Sequence, residues 1–342
     1  MNVGLVGCGG ISDKHLKAWT LLKGMKLVAV CDVIRERALA AARRWGVHSH
    51  YGDFETMLSR EDLEFLSVCT PPFTHADMVC RALDAGVNVV CEKPLAMTAK
   101  EVERMTVKAN AGTAKLTMIC NELYNPALSR AMRVLESLRD QPRAAEFQVL
   151  KPADQGKHSI RGHWCHNIPG GPFGELIIHG ISVLRHCLGD LTVGSIQLDK
   201  QGGSELRASL RSDKKRGNLL ISLNSPRLQI MLDLYGIRNS VRADLFSGDV
   251  FLFRSDSKLH FAAAAAEATT QASVAMGNAL GILRRAASCR LGRRHSEHMA
   301  NIAAFVDSVL NGKALPLSLE DMRVLVSTQE QITELIDAYV SV

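Results

Sequence analysis

Residues 70–96 read TPPFTHADMVCRALDAGVNVVCEKPLA and join two short apolar runs through an amphipathic segment. The apolar run before this stretch ends at two prolines, which lack the N–H donor that a strand needs. Apolar residues then recur at helical spacing up to a stop at Gly86, and a second apolar run covers 88–91. We therefore predict a strand, a helix and a strand. Glu92 and Lys93 follow that second strand, at the edge where open α/β sheets bind ligands.

This stretch resembles the signature of the Gfo/Idh/MocA family of NAD(P)-dependent oxidoreductases, which includes glucose-fructose oxidoreductase and inositol dehydrogenase. The shared pattern is TPPxxHxxxxxxALxAGxxVxxEKPLA, a long run with many defined positions. The resemblance implies that Lys93, in the Glu-Lys-Pro sequence, faces the nicotinamide and the substrate. The alternative interpretation of Glu92 and Lys93 is a solvated charged pair after a strand.

A glycine-rich turn follows the first apolar run of the chain, 3–6, and precedes a helical segment. Residues 7–12 read GCGGIS, a G-x-G-x-x-S form of the dinucleotide-binding motif. Gly7 permits the tight turn, Gly9 lets the backbone approach a pyrophosphate, and Ser12 replaces the third glycine where the helix packs on the strand. Amides at the helix start would bind the phosphates, and the alternative is a glycine turn without a ligand.

An acidic residue, Asp32, ends the second predicted strand, 26–31. At this position a carboxylate can accept hydrogen bonds from the ribose hydroxyls of adenosine, and it would repel a 2′-phosphate. NAD is therefore the predicted cofactor, with NADP possible if Arg35 or Arg37 offsets the repulsion. The alternative role of Asp32 is to cap the helix that follows, which is compatible with ribose binding.

Strands and helices alternate up to Asn121, which predicts a doubly wound sheet. We predict an α/β Rossmann domain for NAD binding at residues 1–121, and an α+β domain for substrate binding and oligomerisation at 122–342, with closing C-terminal helices. Relatives often read Asn-x-Arg-Phe-x-Pro at this boundary, whereas residues 121–126 read NELYNP and lack the arginine. From the motifs and the resemblance together, the predicted cofactor-binding residues are Gly7, Gly9, Gly10, Ile11, Ser12, Asp32, Thr70, Pro71, His75, Glu92, Lys93 and Asn121.

The pattern changes to short strand-like runs in the second half of the chain. The runs cover 146–150, 193–198, 206–210, 219–223, 228–234, 241–246 and 250–253. They predict an open, mainly antiparallel sheet. An apolar outer face on such a sheet would expose a large patch, and the resemblance implies that this sheet is commonly the oligomer interface. A homodimer or homotetramer is therefore predicted.

A second motif lies at 162–179, which reads GHWCHNIPGGPFGELIIH. Relatives typically show a Trp-Arg pair, a glycine cluster and then Asp-x-Gly-x-His on a helix. Here the acid and the histidine are Glu175 and His179, whose spacing of four residues places them on one helical face. The resemblance favours His179 as the catalytic base, Glu175 as the group that orients it, and Lys93 as the third catalytic residue. The alternative for His179 is a structural histidine in the core.

Other residues near these motifs are candidates for substrate binding. The predicted set is Lys93, Tyr124, His163, Trp164, His166, Glu175 and His179. His163, Cys165 and His166 could suggest a metal site, but no fourth ligand has suitable spacing, so no metal is predicted. The departures from relatives, which are Glu175 for aspartate, Ile177 for glycine and Cys165 for arginine, concern substrate identity more than reaction class.

A basic stretch follows the alanine-rich segment 261–281. Its arginines are Arg284, Arg285, Arg290, Arg293 and Arg294. They form either a solvated basic face or a site for a phosphate-bearing substrate such as a nucleotide sugar.

The composition is that of an ordinary soluble protein long enough for two domains, with 342 residues, 46% of them hydrophobic and 22% charged. No apolar run reaches the roughly 18 residues of a membrane span and no charged leader is seen, so no membrane association is expected and the predicted location is cytoplasmic. Nine cysteines without paired spacing fit a reducing compartment. A net charge of +6 without interleaved aromatic residues predicts no nucleic-acid partner and favours anionic ligands.

Together these features predict an NAD-dependent dehydrogenase that transfers hydride between nicotinamide and a secondary hydroxyl of a sugar, cyclic polyol or nucleotide sugar. Two other classes stay open: a dinucleotide-binding regulatory sensor without turnover, and an NAD-recycling glycoside hydrolase or lyase. Net NADH release separates them, because a dehydrogenase forms it in step with product, a hydrolase does not, and a sensor forms none.

Overall fold

The computed structural model describes residues 1–154, 156–160, 162–199, 203–254 and 296–340, together with the single positions 269, 272, 276, 279 and 280. It divides into two compact units. The first consists of Met1–Asn121 and His295–Glu330, and the second of Glu122–Arg294 and Gln331–Val342. The five arginines from Arg284 to Arg294, which are candidates for phosphate binding, lie outside the described residues.

The first unit contains a parallel sheet with intervening helices. Its elements are β1 (Asn2–Val6), α1 (Ser12–Leu21), β2 (Lys26–Cys31), α2 (Arg35–Trp45), β3 (Ser49–Tyr51), α3 (Phe54–Arg60), β4 (Phe65–Val68), α4 (His75–Asp84), β5 (Asn88–Cys91), α5 (Ala99–Ala111) and β6 (Leu116–Met118). The strand order is β3-β2-β1-β4-β5-β6, and every neighbouring pair is parallel. Strands β1 and β4 are buried along nearly their whole length, as expected for parallel strands covered by helices. The predicted Rossmann fold is confirmed.

The second unit contains a seven-stranded sheet. Its elements are α6 (Pro126–Ser137), β7 (Ala144–Leu150), α7 (Gly171–Leu188), β8 (Thr192–Leu198), β9 (Glu205–Arg211), β10 (Arg216–Ser222), β11 (Gln229–Tyr235), β12 (Asn239–Asp244) and β13 (Val250–Arg254). The order is β13-β12-β11-β7-β10-β9-β8. Strands β7 and β10 run parallel, and the other neighbours are antiparallel. The predicted α+β domain with a mainly antiparallel sheet is therefore also confirmed.

Helix α7 packs closely on one face of this second sheet. Phe147 of β7 and Leu219 of β10 are buried on that face. Gly180 makes the approach possible, because a Cβ atom at this position would lie 2.3 Å from a Leu219 methyl carbon and 3.1 Å from the Phe147 ring. The close packing fixes the position of His179, the neighbour of Gly180 on the helix.

The opposite face of the second sheet is mixed rather than apolar. The register places Glu146, Asp233, Arg242 and Phe251 in one row across four strands. Arg242 pairs with Asp233 at 2.7 Å. Tyr235, Phe251 and Phe253 expose 42%, 37% and 44% of their surface on this side. The apolar outer face expected from the sequence is wrong, because the outward positions of the alternating strands carry charged residues as well as a few aromatic ones.

Two helices close the chain, α8 (Glu297–Asn311) and α9 (Leu319–Val340). Ile302 and Phe305 of α8 are fully buried in the same cluster as Trp19 and Phe65 of the first unit. The Phe65 and Phe305 ring centroids lie 6.1 Å apart. This packing explains why His295–Glu330 groups with the first unit, whereas the sequence predicts a second domain that covers everything after residue 121.

None of the helices in the described ranges is both long and apolar enough to cross a bilayer. The eight cysteines described by the structure are free thiols.

Candidate functional site

The glycine turn of the first unit is tightly packed behind and open in front. Gly7 has φ +90°, and a Cβ atom there would lie 2.6 Å from the Cys69 carbonyl carbon. Gly9 and Gly10 are exposed, and an added Cβ atom would meet no atom within 4 Å at either position. The Ser12 hydroxyl donates to the Gly9 carbonyl oxygen at 2.6 Å, which holds the turn against the start of α1. The open space over two exposed glycines fits a pyrophosphate that approaches the backbone.

Asp32 links the glycine turn to the end of β2. Its carboxylate oxygens accept hydrogen bonds from the backbone amides of Cys8 and Ile34, both at 2.8 Å, and the residue is only 7% exposed. Each carboxylate oxygen can accept a second hydrogen bond, so these contacts leave capacity for ribose hydroxyls. Val33 is 84% exposed and Ile34 42% exposed. These residues offer an apolar surface beside Asp32 that suits an adenine ring.

His75 holds two loops together instead of facing a ligand. The residue is fully buried, and its ring nitrogens lie 2.9 Å from the carbonyl oxygens of Thr70 and Pro94. Burial lowers the pKa of His75 despite these carbonyl contacts. From the sequence, His75 is predicted to bind the cofactor. In the structure it has no exposed surface for contact and instead positions the loops after β4 and β5, while Thr70 and Pro71 are partly exposed.

Glu92 is buried in a cluster of histidines. Its Oε1 atom lies 2.9 Å from Nε2 of His15 and 3.5 Å from Nε2 of His298, and its Oε2 atom accepts the Lys93 amide at 3.1 Å. Burial would raise the pKa of Glu92, but hydrogen bonds and charge from His15 and His298 hold it well below its ordinary value. Burial lowers the pKa of His298. Glu92 therefore anchors the Lys93 loop from inside and is not half of a solvated pair. No sequence pattern indicated the two histidines.

His179 on α7 has a charged partner that the sequence motif does not indicate. Its Nδ1 atom lies 2.7 Å from Oε2 of Glu122, with side-chain exposures of 16% and 10%. Glu175 is 2% exposed, and its Oε2 atom lies 2.9 Å from Nε2 of His158. The Nδ1 atom of His158 in turn lies 3.1 Å from the Lys151 ammonium. The expectation that Glu175 orients His179 does not agree with this arrangement, because the buried Glu175 carboxylate is engaged by His158.

The remaining substrate candidates are distributed over two short turns. His163 and Trp164 are partly exposed with ring centroids 5.2 Å apart, and His166 is exposed. Cys165 is fully buried with its sulfur 3.2 Å from Nδ1 of His163. Asn121 and Tyr124 are partly exposed at the ends of the turn that carries Glu122. In the part of the chain that the structure describes, no group of three or more His, Cys, Asp or Glu residues could hold a metal ion.

Comparison with known proteins relates the first part of the chain to a family of oxidoreductases. Residues 1–119 match the model of the Gfo/Idh/MocA family, described as an oxidoreductase family with an NAD-binding Rossmann fold. The chain is similar to D-apiose dehydrogenase of Paraburkholderia graminis, with 35% identity over 38% of this chain and 35% of that protein. It is also similar to inositol 2-dehydrogenase of Rhizobium meliloti, with 26% identity over 70% of this chain and 74% of that protein.

The solved structures extend the likeness in fold to the whole chain. The WlbA dehydrogenase of Bordetella pertussis, in complex with NADH and UDP-GlcNAcA, superimposes with a TM-score of 0.77 at 19% identity, over 100% of this chain and 96% of that one. The match to D-apiose dehydrogenase, by contrast, spans about a third of that relative's length. The family model therefore matches residues 1–119 of this chain, and over the remaining residues the likeness is one of fold.

Proposed function

We propose that this protein is an NAD-dependent dehydrogenase that acts on a secondary hydroxyl of a sugar, a cyclic polyol or a nucleotide sugar. The observation that carries the proposal is the open glycine turn bound to Asp32, within a segment that matches an NAD-binding oxidoreductase model. Relatives named as apiose and inositol dehydrogenases support the substrate class.

The proposed chemistry assigns one role to each of three side chains. Lys93 binds the reacting hydroxyl oxygen through its ammonium group. His179 accepts the hydroxyl proton, because a neutral imidazole is a base near neutral pH. A bound nicotinamide supplies the hydride acceptor. The third side chain, Glu175, has a structural role, because its buried carboxylate pairs with His158 within the second unit.

A screen for NADH formation tests the proposal. The protein would be incubated with NAD and a panel of free sugars, polyols and nucleotide-linked sugars, while absorbance at the NADH band and product are both followed. NADH formed in step with product supports a dehydrogenase. Product without net NADH would identify an NAD-recycling hydrolase or lyase, and NAD binding without any turnover across the panel would favour a regulatory sensor.

NAD should bind more tightly than NADP by at least about tenfold, or about 1.4 kcal/mol. The reason is that a 2′-phosphate would be placed beside the Asp32 carboxylate, whose like charge repels it. Isothermal titration with each cofactor measures the difference. Asp32→Asn should reduce the difference in affinity between NAD and NADP, since the amide lacks the charge. Equal or stronger binding of NADP to the unaltered protein would mean that Arg35 or Arg37 dominates the site.

We also propose that the protein associates into a homodimer or homotetramer through the outer face of its second sheet. Tyr235, Phe251 and Phe253 are exposed there beside charged residues, a mixture typical of protein interfaces. Light scattering at micromolar concentration should show a dimer or tetramer. The double variant Phe251→Ser with Phe253→Ser should weaken this association. Phe246→Ser, at an exposed site in the turn between β12 and β13, is the matched control. A monomeric parent protein would rule this interface out.

The free thiols of the described cysteines also fit a reducing compartment, and we propose the cytoplasm.

A further inference from the structure

Two carboxylate–histidine pairs lie within the second unit. One joins Oε2 of Glu122 to Nδ1 of His179 at 2.7 Å, and the other joins Oε2 of Glu175 to Nε2 of His158 at 2.9 Å. None of the four side chains is more than 16% exposed. In such surroundings a carboxylate determines which nitrogen of its histidine carries the proton.

In the Glu175–His158 pair, a third residue determines which ring nitrogen of His158 carries the proton. The Lys151 ammonium lies 3.1 Å from Nδ1 of His158, and an ammonium group can only donate hydrogen bonds. Nδ1 of His158 must therefore accept a hydrogen bond from Lys151. Nε2 then carries the proton and donates a hydrogen bond to Glu175. The carboxylate of Glu175 is engaged in this chain from Lys151 and faces Nε2 of His158, not the His179 ring.

The His179 pair has the opposite arrangement. Its carboxylate, Glu122, has Oε2 2.7 Å from Nδ1, and a negatively charged oxygen at this distance favours a proton on that nitrogen over a lone pair. The proton of the neutral ring therefore belongs on Nδ1. Among the residues that the structure describes, none forms a hydrogen bond or ion pair with Nε2 of His179, so the lone pair of that nitrogen is available. A general base needs this lone pair to take a proton.

The backbone around both residues is held in place. Asn125 follows the Glu122 turn and is buried, accepting the Ala127 amide at 2.9 Å and donating to the Leu245 carbonyl at 2.9 Å. On the other side, Gly180 allows α7 to lie close to the sheet. Glu122 and His179 thus lie on two anchored segments, which keeps the carboxylate close to Nδ1 of the ring.

We infer that Glu122, rather than Glu175, is the positioning residue that fixes the tautomer of His179 with its proton on Nδ1 and its base lone pair on Nε2. The inference rests on the proposed dehydrogenase function only for the use made of that lone pair. The contacts within the second unit are enough to assign Glu122 to His179 and Glu175 to His158. It makes Glu122 a determinant of turnover that does not itself touch the substrate.

Nitrogen NMR of ¹⁵N-histidine-labelled protein tests the inference without substrate. His179→Asn assigns the signal, which is read at a pH where the ring is neutral. The parent protein should show protonated Nδ1 and unprotonated Nε2. Glu122→Gln should shift the proton to Nε2, because the amide can donate to Nδ1. Glu122→Asp should keep the parent tautomer, since it retains the charge, and Glu175→Gln should leave it unchanged.

A parent ring protonated on Nε2, or a tautomer that responds to Glu175→Gln and not to Glu122→Gln, would overturn the inference. With a substrate in hand, Glu122→Gln should lower kcat by about 10²- to 10⁴-fold, as expected when the base tautomer is lost, with a smaller change in KM. An unchanged kcat in a variant whose tautomer has shifted would also overturn it. If no substrate yields NADH while the spectra behave as expected, the proposed function fails and the tautomer assignment stands.

Discussion

Replacing Lys93 with methionine is expected to lower kcat by about 10²- to 10⁴-fold while the Kd for NAD stays nearly unchanged. Methionine matches the length of the lysine stem and removes only the ammonium, so the loss measures the transition-state contribution of the charge, about 3 to 5 kcal/mol. NAD affinity should persist because the glycine turn and Asp32 are untouched, and Glu92 still anchors the backbone of residue 93 through its amide. Initial-rate kinetics and isothermal titration on the same preparation give both quantities.

His179→Asn should have an effect on kcat of similar size, because it removes the proposed base. The control for Lys93→Met is Lys100→Met, which makes the same chemical change at an exposed position in the first turn of α5. It should leave kcat and the Kd for NAD unchanged. Near-normal turnover of His179→Asn across pH would show that the base lies elsewhere. Tyr124 and His166, both with exposed surface, would then be the next candidates.

Local sequence patterns predicted strands β1, β2, β4 and β5 of the first unit, but not the short edge strand β3 at Ser49–Tyr51. Strands β2 and β5 begin and end where the apolar runs do, at Lys26–Cys31 and Asn88–Cys91. Prolines, glycines and the spacing of apolar residues act within a few positions of each other, so they can be read directly from the chain. The glycine turn belongs to the same class of feature, whereas its close packing against Cys69 is a tertiary contact that the motif does not specify.

The partners of buried charged residues could not be predicted in this way. Glu175 and His179 have the spacing of a helical pair, but each meets a residue from a different turn of the chain, His158 and Glu122. Spacing states only which side chains share a face. Which of them pair depends on tertiary packing and on how costly an unpaired buried charge would be. His298 illustrates the limit, because it reaches Glu92 from the C-terminal helix α8.

The same packing governs the outer face of the second sheet and the assignment of α8. Alternation in β7 correctly separates buried from outward residues, but it does not reveal that Arg242 lies opposite Asp233 on the neighbouring strands. Likewise, the apolar stripe of α8 predicts a buried helix without saying against which core it packs. In the structure that core contains Trp19 and Phe65.

Replacing His15 with leucine is expected to destabilise the first unit by about 3 to 5 kcal/mol at neutral pH, the range for removing one partner of a buried charged pair. The change leaves the Glu92 carboxylate without its 2.9 Å partner and removes the acceptor or donor that His15 presents to the Ser67 hydroxyl at 3.0 Å. Urea unfolding monitored by circular dichroism measures the difference. His48→Leu, at an exposed histidine, is the matched control and should change stability by less than about 0.5 kcal/mol.

The pH dependence of this loss identifies its cause. In the parent protein the pKa of Glu92 is lowered, so its contribution is present above the unfolded pKa of about 4.3 and is lost only as pH falls through the lower folded value. Burial lowers the pKa of His75 and His298, so the unfolded chain takes up protons first below about pH 6.5 and parent stability falls there. In His15→Leu, burial should raise the pKa of Glu92 instead, so protonation relieves the buried charge. The difference in unfolding free energy between the parent protein and His15→Leu should therefore be largest near pH 7.5 and decrease towards pH 5.

A second substitution separates the buried charge from simple loss of packing. If the uncompensated carboxylate causes the destabilisation, adding Glu92→Gln to His15→Leu should recover a large part of the lost unfolding free energy at pH 7.5, because the amide carries no charge to desolvate. If leucine merely packs badly, the double variant should be no more stable than His15→Leu, and the gap from the parent should be the same at both pH values. That result would mean that the His15–Glu92 contact contributes little to holding the Lys93 loop, and that the positioning of Lys93 depends instead on His75 and its contacts with the carbonyl oxygens of Thr70 and Pro94.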